Sequence, residues 1–192
     1  MEVRVDCAFF GIQLVVRPPA GDPFQTEIER LIKMSPADQT IADKRVLYTQ
    51  LSNTLLRVLS FSVAGYWDLI RDPAAAQKEF DSWCGDIEVT MREPAPFGGT
   101  YRQATDSHCV VTTAFLVKKG SNSDLTLGAR CDIAEPLYFA RATFAQLIET
   151  MPMLNFASVA GDAVYMVPGP GGVGPSGEEL RGEGYEYLKA LV

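Results

Sequence analysis

The sequence predicts an α/β (α+β) domain in which helices pack on a small three- to four-stranded mixed sheet. Three observations carry this. Apolar segments rich in β-branched residues recur at Val3–Val16, Cys109–Val117 and Ala163–Val167. Two segments between Ser35 and Met91 repeat apolar residues every three or four positions, the period of a helix with one buried side. No unit recurs at the spacing of a solenoid or propeller.

Taken in chain order, Val3, Val5, Cys7 and Phe9 alternate with Glu2, Arg4 and Asp6, and the run through Ile12 to Val16 then reads as continuously apolar. That pattern is a strand entering a buried sheet. Pro18-Pro19 ends it, and Phe24, Ile28, Leu31 and Ile32 define a short helix over Phe24–Met34. Ser35-Pro36 is a helix start, with serine as cap and proline at the first helical position. The helix is expected to run to about Phe61 with a stripe of Leu47, Leu51, Leu55 and Val58/Leu59. Asp72-Pro73 repeats the signal and opens a second helix with Ala76, Phe80, Trp83/Cys84, Ile87 and Met91 on one face. Between them, Ala64–Ile70 fits a short strand, irregular chain or a helical extension.

Pro94–Ser107 has the Pro, Gly, Ser and Thr content of a long exposed loop. Cys109–Val117 reads as a central strand, Lys118–Ser123 as a turn, and Leu125–Cys131 as a shorter strand returning in a hairpin. Asp132-Ile-Ala-Glu135 has the form of a capping box, which predicts a helix through Met151, stopped by Pro152. Ala163–Val167 is a further strand. The tract Pro168–Gly177 reads as a flexible exposed loop, and Ser176-Gly-Glu-Glu179 as a capping box before a short terminal helix. Residues 1–192 are expected to form one domain, since a chain of this length buries roughly 70% of its unfolded surface without metal or disulfide.

Composition narrows the function classes. A formal charge of −7 opposes binding to nucleic-acid phosphates or an anionic membrane surface. The adjacent basic pairs, Lys44-Arg45 and Lys118-Lys119, sit at the solvated ends of apolar segments. No window reaches the ~18 uninterrupted apolar residues of a membrane span. The N-terminus lacks the form of a signal peptide. Cys7, Cys84, Cys109 and Cys131 are widely spaced with no C-x-x-C, which fits buried reduced thiols in the cytoplasm.

Candidate chemistry is sparse. His108-Cys109 is the one His-Cys neighbour pair, and imidazole can activate a thiol, but adjacent residues of a strand point to opposite faces. A buried structural cysteine is the simpler reading. The single histidine and scattered cysteines lack the paired spacing of a metal site. Gly169–Gly177 lacks the Gly-Lys-Ser/Thr ending of a phosphate loop. Asp86/Glu88 and Glu178/Glu179 read as solvated helix carboxylates, and Trp67 and Trp83 as packing residues. No catalytic, metal or cofactor-binding residue is assigned.

The order of elements resembles a family known only as domain of unknown function fifteen-seventeen. The resemblance lies in the apolar N-terminal strand, the Leu-rich helix followed by Tyr66-Trp67, the Val110–Val117 strand and the end of the chain. That end joins Val164–Pro168, a Gly-rich loop, Glu178-Glu179-Leu180 and Tyr185-Glu-Tyr-Leu188. Many members carry a preceding membrane anchor that this sequence does not. The resemblance implies a fold and no activity.

The expected function is a non-enzymatic protein-binding or scaffolding module, its partner another protein or a second copy, with Pro94–Ser107 and Pro168–Gly177 as display loops. The alternative is an enzyme or small-ligand binder with a pocket between helices and sheet lined by Cys109, Tyr138 and Tyr165.

Overall fold

A computed structural model describes residues 6–34, 39–92, 107–169, 172–182 and 184–192, with backbone alone for 86–92. The class is α+β, as the sequence predicts, but the sheet has five strands in the order β4-β3-β1-β2-β5. Its strands are β1 (Cys7–Val16), β2 (Ser62–Ile70), β3 (Cys109–Lys118), β4 (Val159–Val167) and β5 (Lys189–Ala190). Every pairing is antiparallel, so the expectation of a three- to four-stranded mixed sheet is corrected in count and direction.

The added strand β2 comes from a segment the sequence left open, and β5 lies at the end of the chain, which the sequence suggested as a short helix. Ser62–Ile70 is a strand because its residues serve two apolar faces: Trp67 and Leu69 pack on one side, Tyr66 and Ile70 on the other. A Cβ on Gly65 would lie 2.6 Å from the Phe144 ring, so glycine there lets a helix sit directly on the strand.

Five helices complete the fold: α1 (Phe24–Lys33), α2 (Ile41–Val58), α3 (Pro73–Arg92), α4 (Asn122–Arg130) and α5 (Arg141–Thr150). The α2 helix starts at a Thr40–Asp43 capping box rather than at Ser35-Pro36, which lies outside the described residues. It ends in a 3-10 turn at Leu59–Phe61. Asp72 caps α3 by accepting from the Ala75 N–H at 2.9 Å.

Two expectations are overturned. Leu125–Cys131 is not a returning strand but the body of α4. Ser121 accepts from the Asp124 N–H, and Leu127 alone of the segment's two leucines is buried. The local bonds of Ser121 and Asp124 nucleate a helix where a hairpin turn was expected. Asp132–Met151 is not one helix either. Pro136 offers no N–H, so the chain makes a 3-10 turn at Glu135–Leu137 and restarts at Arg141. The terminal capping box does form, with Ser176 and Glu179 bonding reciprocally, but it opens only a 3-10 turn at Glu179–Arg181.

α1, α2, α4 and α5 cover the first face of the sheet. The core there joins Phe10, Ile12 and Leu14 of β1 to Val111 and Phe115 of β3 and to the α2 stripe Leu47, Leu51, Leu55 and Val58. Tyr48 stacks on Phe156 and meets Phe115 at a tilt. α3 alone among the described helices covers the second face, over Phe9, Ala114 and Leu116.

Candidate functional site

The sequence-derived candidates do not converge. Cys109 faces the first core and Tyr165 the second face, where its hydroxyl donates to the Trp83 carbonyl at 2.9 Å. Tyr138 is exposed and edge-on to Trp67, whose Nε1 donates to the Tyr138 carbonyl at 2.9 Å. The three therefore share no pocket, because Cys109 and Tyr165 belong to opposite sides of the sheet. His108 is buried with Nδ1 3.2 Å from the Pro175 carbonyl. Burial pushes the Cys109 thiol up to about 11, with Glu29 adding to the effect, and burial pushes Cys131 up to about 12. Such thiols are poor nucleophiles at neutral pH.

Within the Pro168–Gly177 tract, which the sequence suggested as a flexible loop, Gly174 and Pro175 are bonded to the residues just before β3. Gly174 N–H donates to Ser107 Oγ, and the Pro175 carbonyl accepts from His108 N–H. A Cβ on Gly174 would lie 1.8 Å from the His108 carbonyl oxygen, so only glycine allows this approach. Of the Pro94–Ser107 loop, all but Ser107 lies outside the described residues.

Most polar clusters are internally satisfied. Asp162 of β4 takes Lys44 on one oxygen and the Tyr48 hydroxyl on the other. Burial, then Asp162, drives the Tyr48 hydroxyl well above its usual range. Arg71 bonds the carboxylate and carbonyl of Asp124, and Ser123, Ser158 and Asn155 bond one another. A shallow cleft of about 320 Å³ between α1 and α2 is lined by Glu27, Arg30, Gln50 and Arg57, the last already paired with Asp22 and Glu27.

The second face is different. The strand register sets its residues in cross-strand rows. Ile70, Phe9, Leu116 and Gly161 make an apolar row; Asp68, Gly11, Ala114 and Ala163 make a row dominated by small residues that receives Trp83. The next row is Tyr66, Gln13, Thr112 and Tyr165. In this polar row Gln13 Oε1 and Thr112 Oγ1 are buried without a hydrogen-bond partner among the described residues. A buried group left unpaired costs on the order of 1–3 kcal/mol. Sequence reading missed the row because Gln13 stands alone in an apolar strand and Thr112, next to Thr113, counts as β-branched strand content 99 positions away; only the β1–β3 register sets them side by side.

Two carboxylates border that row. Asp68 Oδ2 accepts from Tyr66 OH at 3.3 Å, and Glu79 Oε1 accepts from Trp83 Nε1 at 2.8 Å. Burial first, then Glu79, raises the Asp68 carboxyl above its usual range, against the lowering by its bonds to Leu69 and Tyr66. A raised folded-state value stabilises the protein fully only below the unfolded value, ~3.9, and this contribution is lost as pH climbs through the folded value. Asp68→Asn is therefore expected to be more stable than the wild type at pH 7, with the difference vanishing toward pH 3. Denaturant melts across that range check this, and an unchanged or lower neutral-pH midpoint contradicts it.

No family model, curated protein or solved structure matches the chain. Among the described residues no three His, Cys, Asp or Glu side chains come together, and no helix is long and apolar enough to cross a membrane.

Proposed function

We propose that the chain is a protein-binding module that takes up an extended segment of a partner along the outer edge of β4. The supporting observation is the sheet order. β4 has nine residues and ends the sheet, with no strand beyond it among the described residues, whereas the opposite edge receives β5 against Ala64–Gly65. An edge strand directs alternate backbone N–H and C=O groups outward, and these bind an added strand whatever its sequence.

Local chemistry favours access. Ala160, Gly161 and Ala163 are small, and Val159–Val164 is half-buried or exposed. Asp162 is an inward charge of the kind that discourages edge pairing, but Lys44 and Tyr48 hold it against the first face, out of the plane a partner strand would enter. The formal charge of −7 disfavours pairing two copies and favours a partner segment carrying Lys or Arg. The resemblance to the domain of unknown function fifteen-seventeen family adds no activity to this reading.

Proline at β4 tests it. Of the adjacent positions Ala163 and Val164, one turns its N–H toward β3 and the other outward. The substitution at the outward position, Ala163→Pro or Val164→Pro, is expected to keep the fold by circular dichroism and to lose a partner that the wild type retains in affinity capture. A partner held equally by both folded variants, or a wild-type dimer in light scattering that proline abolishes, overturns the proposal; the second outcome would assign the edge to self-association.

A further inference from the structure

The geometry points to a binding site for a small ammonium-bearing cation on the second face of β2, between α3 and Tyr187. Its floor is Tyr66 and Asp68, its α3 wall is Glu79 and Trp83, and Tyr187 stands edge-on to Tyr66 with ring centroids 5.5 Å apart. Tyr66, Asp68 and Glu79 are each half-buried, so the floor and wall keep some exposure to solvent.

Two independent observations define the occupant. Among the described residues Asp68 and Glu79 have no cationic partner. The ion pairs among the described residues are Lys44–Asp162, Arg57 with Asp22 and Glu27, and Arg71–Asp124. Each carboxylate takes a single side-chain hydrogen bond from a neutral donor and keeps unused acceptor capacity. Separately, Gln13 stands opposite Tyr66 on the same face, is more than nine-tenths buried, and has an Oε1, an atom that only accepts, without a hydrogen-bond partner among the described residues.

The region thus has acceptors and negative charge in surplus, and what would complement it is a donor that carries positive charge. A neutral alcohol or amide could serve Gln13 but would leave both carboxylates unpaired. An ammonium group supplies three N–H donors and a charge. The rings of Trp83 and Tyr66, with centroids 6.3 Å apart, add faces that attract a cation.

The test uses the full chain carrying Trp67→Phe, which leaves Trp83 as the one reporting tryptophan. Its fluorescence is followed during titration with n-butylammonium, with an end-blocked tripeptide having a central lysine, and with n-butanol, each to about 10 mM, a range that reaches weak millimolar binding. The expected result is a saturable response to at least one amine and none to n-butanol, weakened by added salt. Response to both amines shows that the free cation suffices, and response to the peptide alone assigns the ammonium to a protein side chain. Asp68→Asn is expected to weaken binding about tenfold or more, with partial rescue by Asp68→Glu. Lack of response to both amines, an equal response to n-butanol, or full affinity in folded Asp68→Asn overturns the inference.

Discussion

Leu55→Ala is expected to destabilise the protein by about 2–5 kcal/mol, from lost apolar transfer energy plus the cavity left behind. Leu55 is 2% exposed and sits in the middle of the α2 stripe, with Leu51 one turn before and Val58 one turn after it. The core it joins contains strand residues from β1 and β3 whose backbones are fixed by neighbours on both sides, so the site has little freedom to collapse. Each kcal/mol lowers the melting temperature of a chain this size by about 2–4 °C. Val46→Ala, at an exposed position of the same helix, is the control and is expected to stay within about 0.5 kcal/mol. A loss below about 1 kcal/mol for Leu55→Ala would contradict the burial of the stripe.

Gly11→Ala is expected to act on the other face, loosening α3 at a cost of about 1–3 kcal/mol by overpacking. The added Cβ would lie 2.6 Å from Phe9 Cζ and 2.7 and 2.8 Å from two Trp83 ring carbons, closer than side-chain atoms approach in folded proteins. Neither ring can yield freely. Phe9 is fully buried, and Trp83 is tied through Nε1 to Glu79 and through its carbonyl to Tyr165. Gly85 on the same helix has open space around it, so Gly85→Ala is expected to be stabilising by about 0.5–1 kcal/mol through helix propensity. Paired thermal melts with Trp83 fluorescence check both signs. An unchanged Gly11→Ala melt would mean that Trp83 does not seat in the row of small residues.

The fold was legible where periodicity and capping agreed. The Leu47–Val58 stripe, the Asp72-Pro73 start and the Cys109–Val117 strand all lie where residue spacing places them. It was not legible where a local signal had two outcomes. The Ser121–Asp124 run serves a hairpin turn or a helix cap equally well in sequence, and the bond from Gly120 N–H to Asp124 helps make it a cap. β5 is two residues long and carries no pattern of its own, since its partners Gly65 and Ala64 are 124 and 126 positions away.

The candidate site was less legible still. Asp68 reads in sequence as one acid in an apolar run, and Glu79 as a solvated helix residue. Their relation to Gln13 depends on the β1–β2 register and on α3 crossing that face, which are tertiary facts. The β4 edge is likewise a property of strand order, and nothing in Val159–Val167 itself distinguishes an edge strand from an inner one except Asp162.

Amide hydrogen exchange along β4 tests the proposed function most directly. In the free protein, the N–H groups of Gly161–Val167 that face away from β3 are expected to exchange quickly while those bonded to β3 are protected, because the register is regular there, backbone pairing slows exchange and an open edge lacks it. With the partner bound, the outward set is expected to become protected in an alternating pattern, every second residue, as strand addition requires. Protection that appears elsewhere and leaves the outward β4 amides fast in the complex would contradict the account.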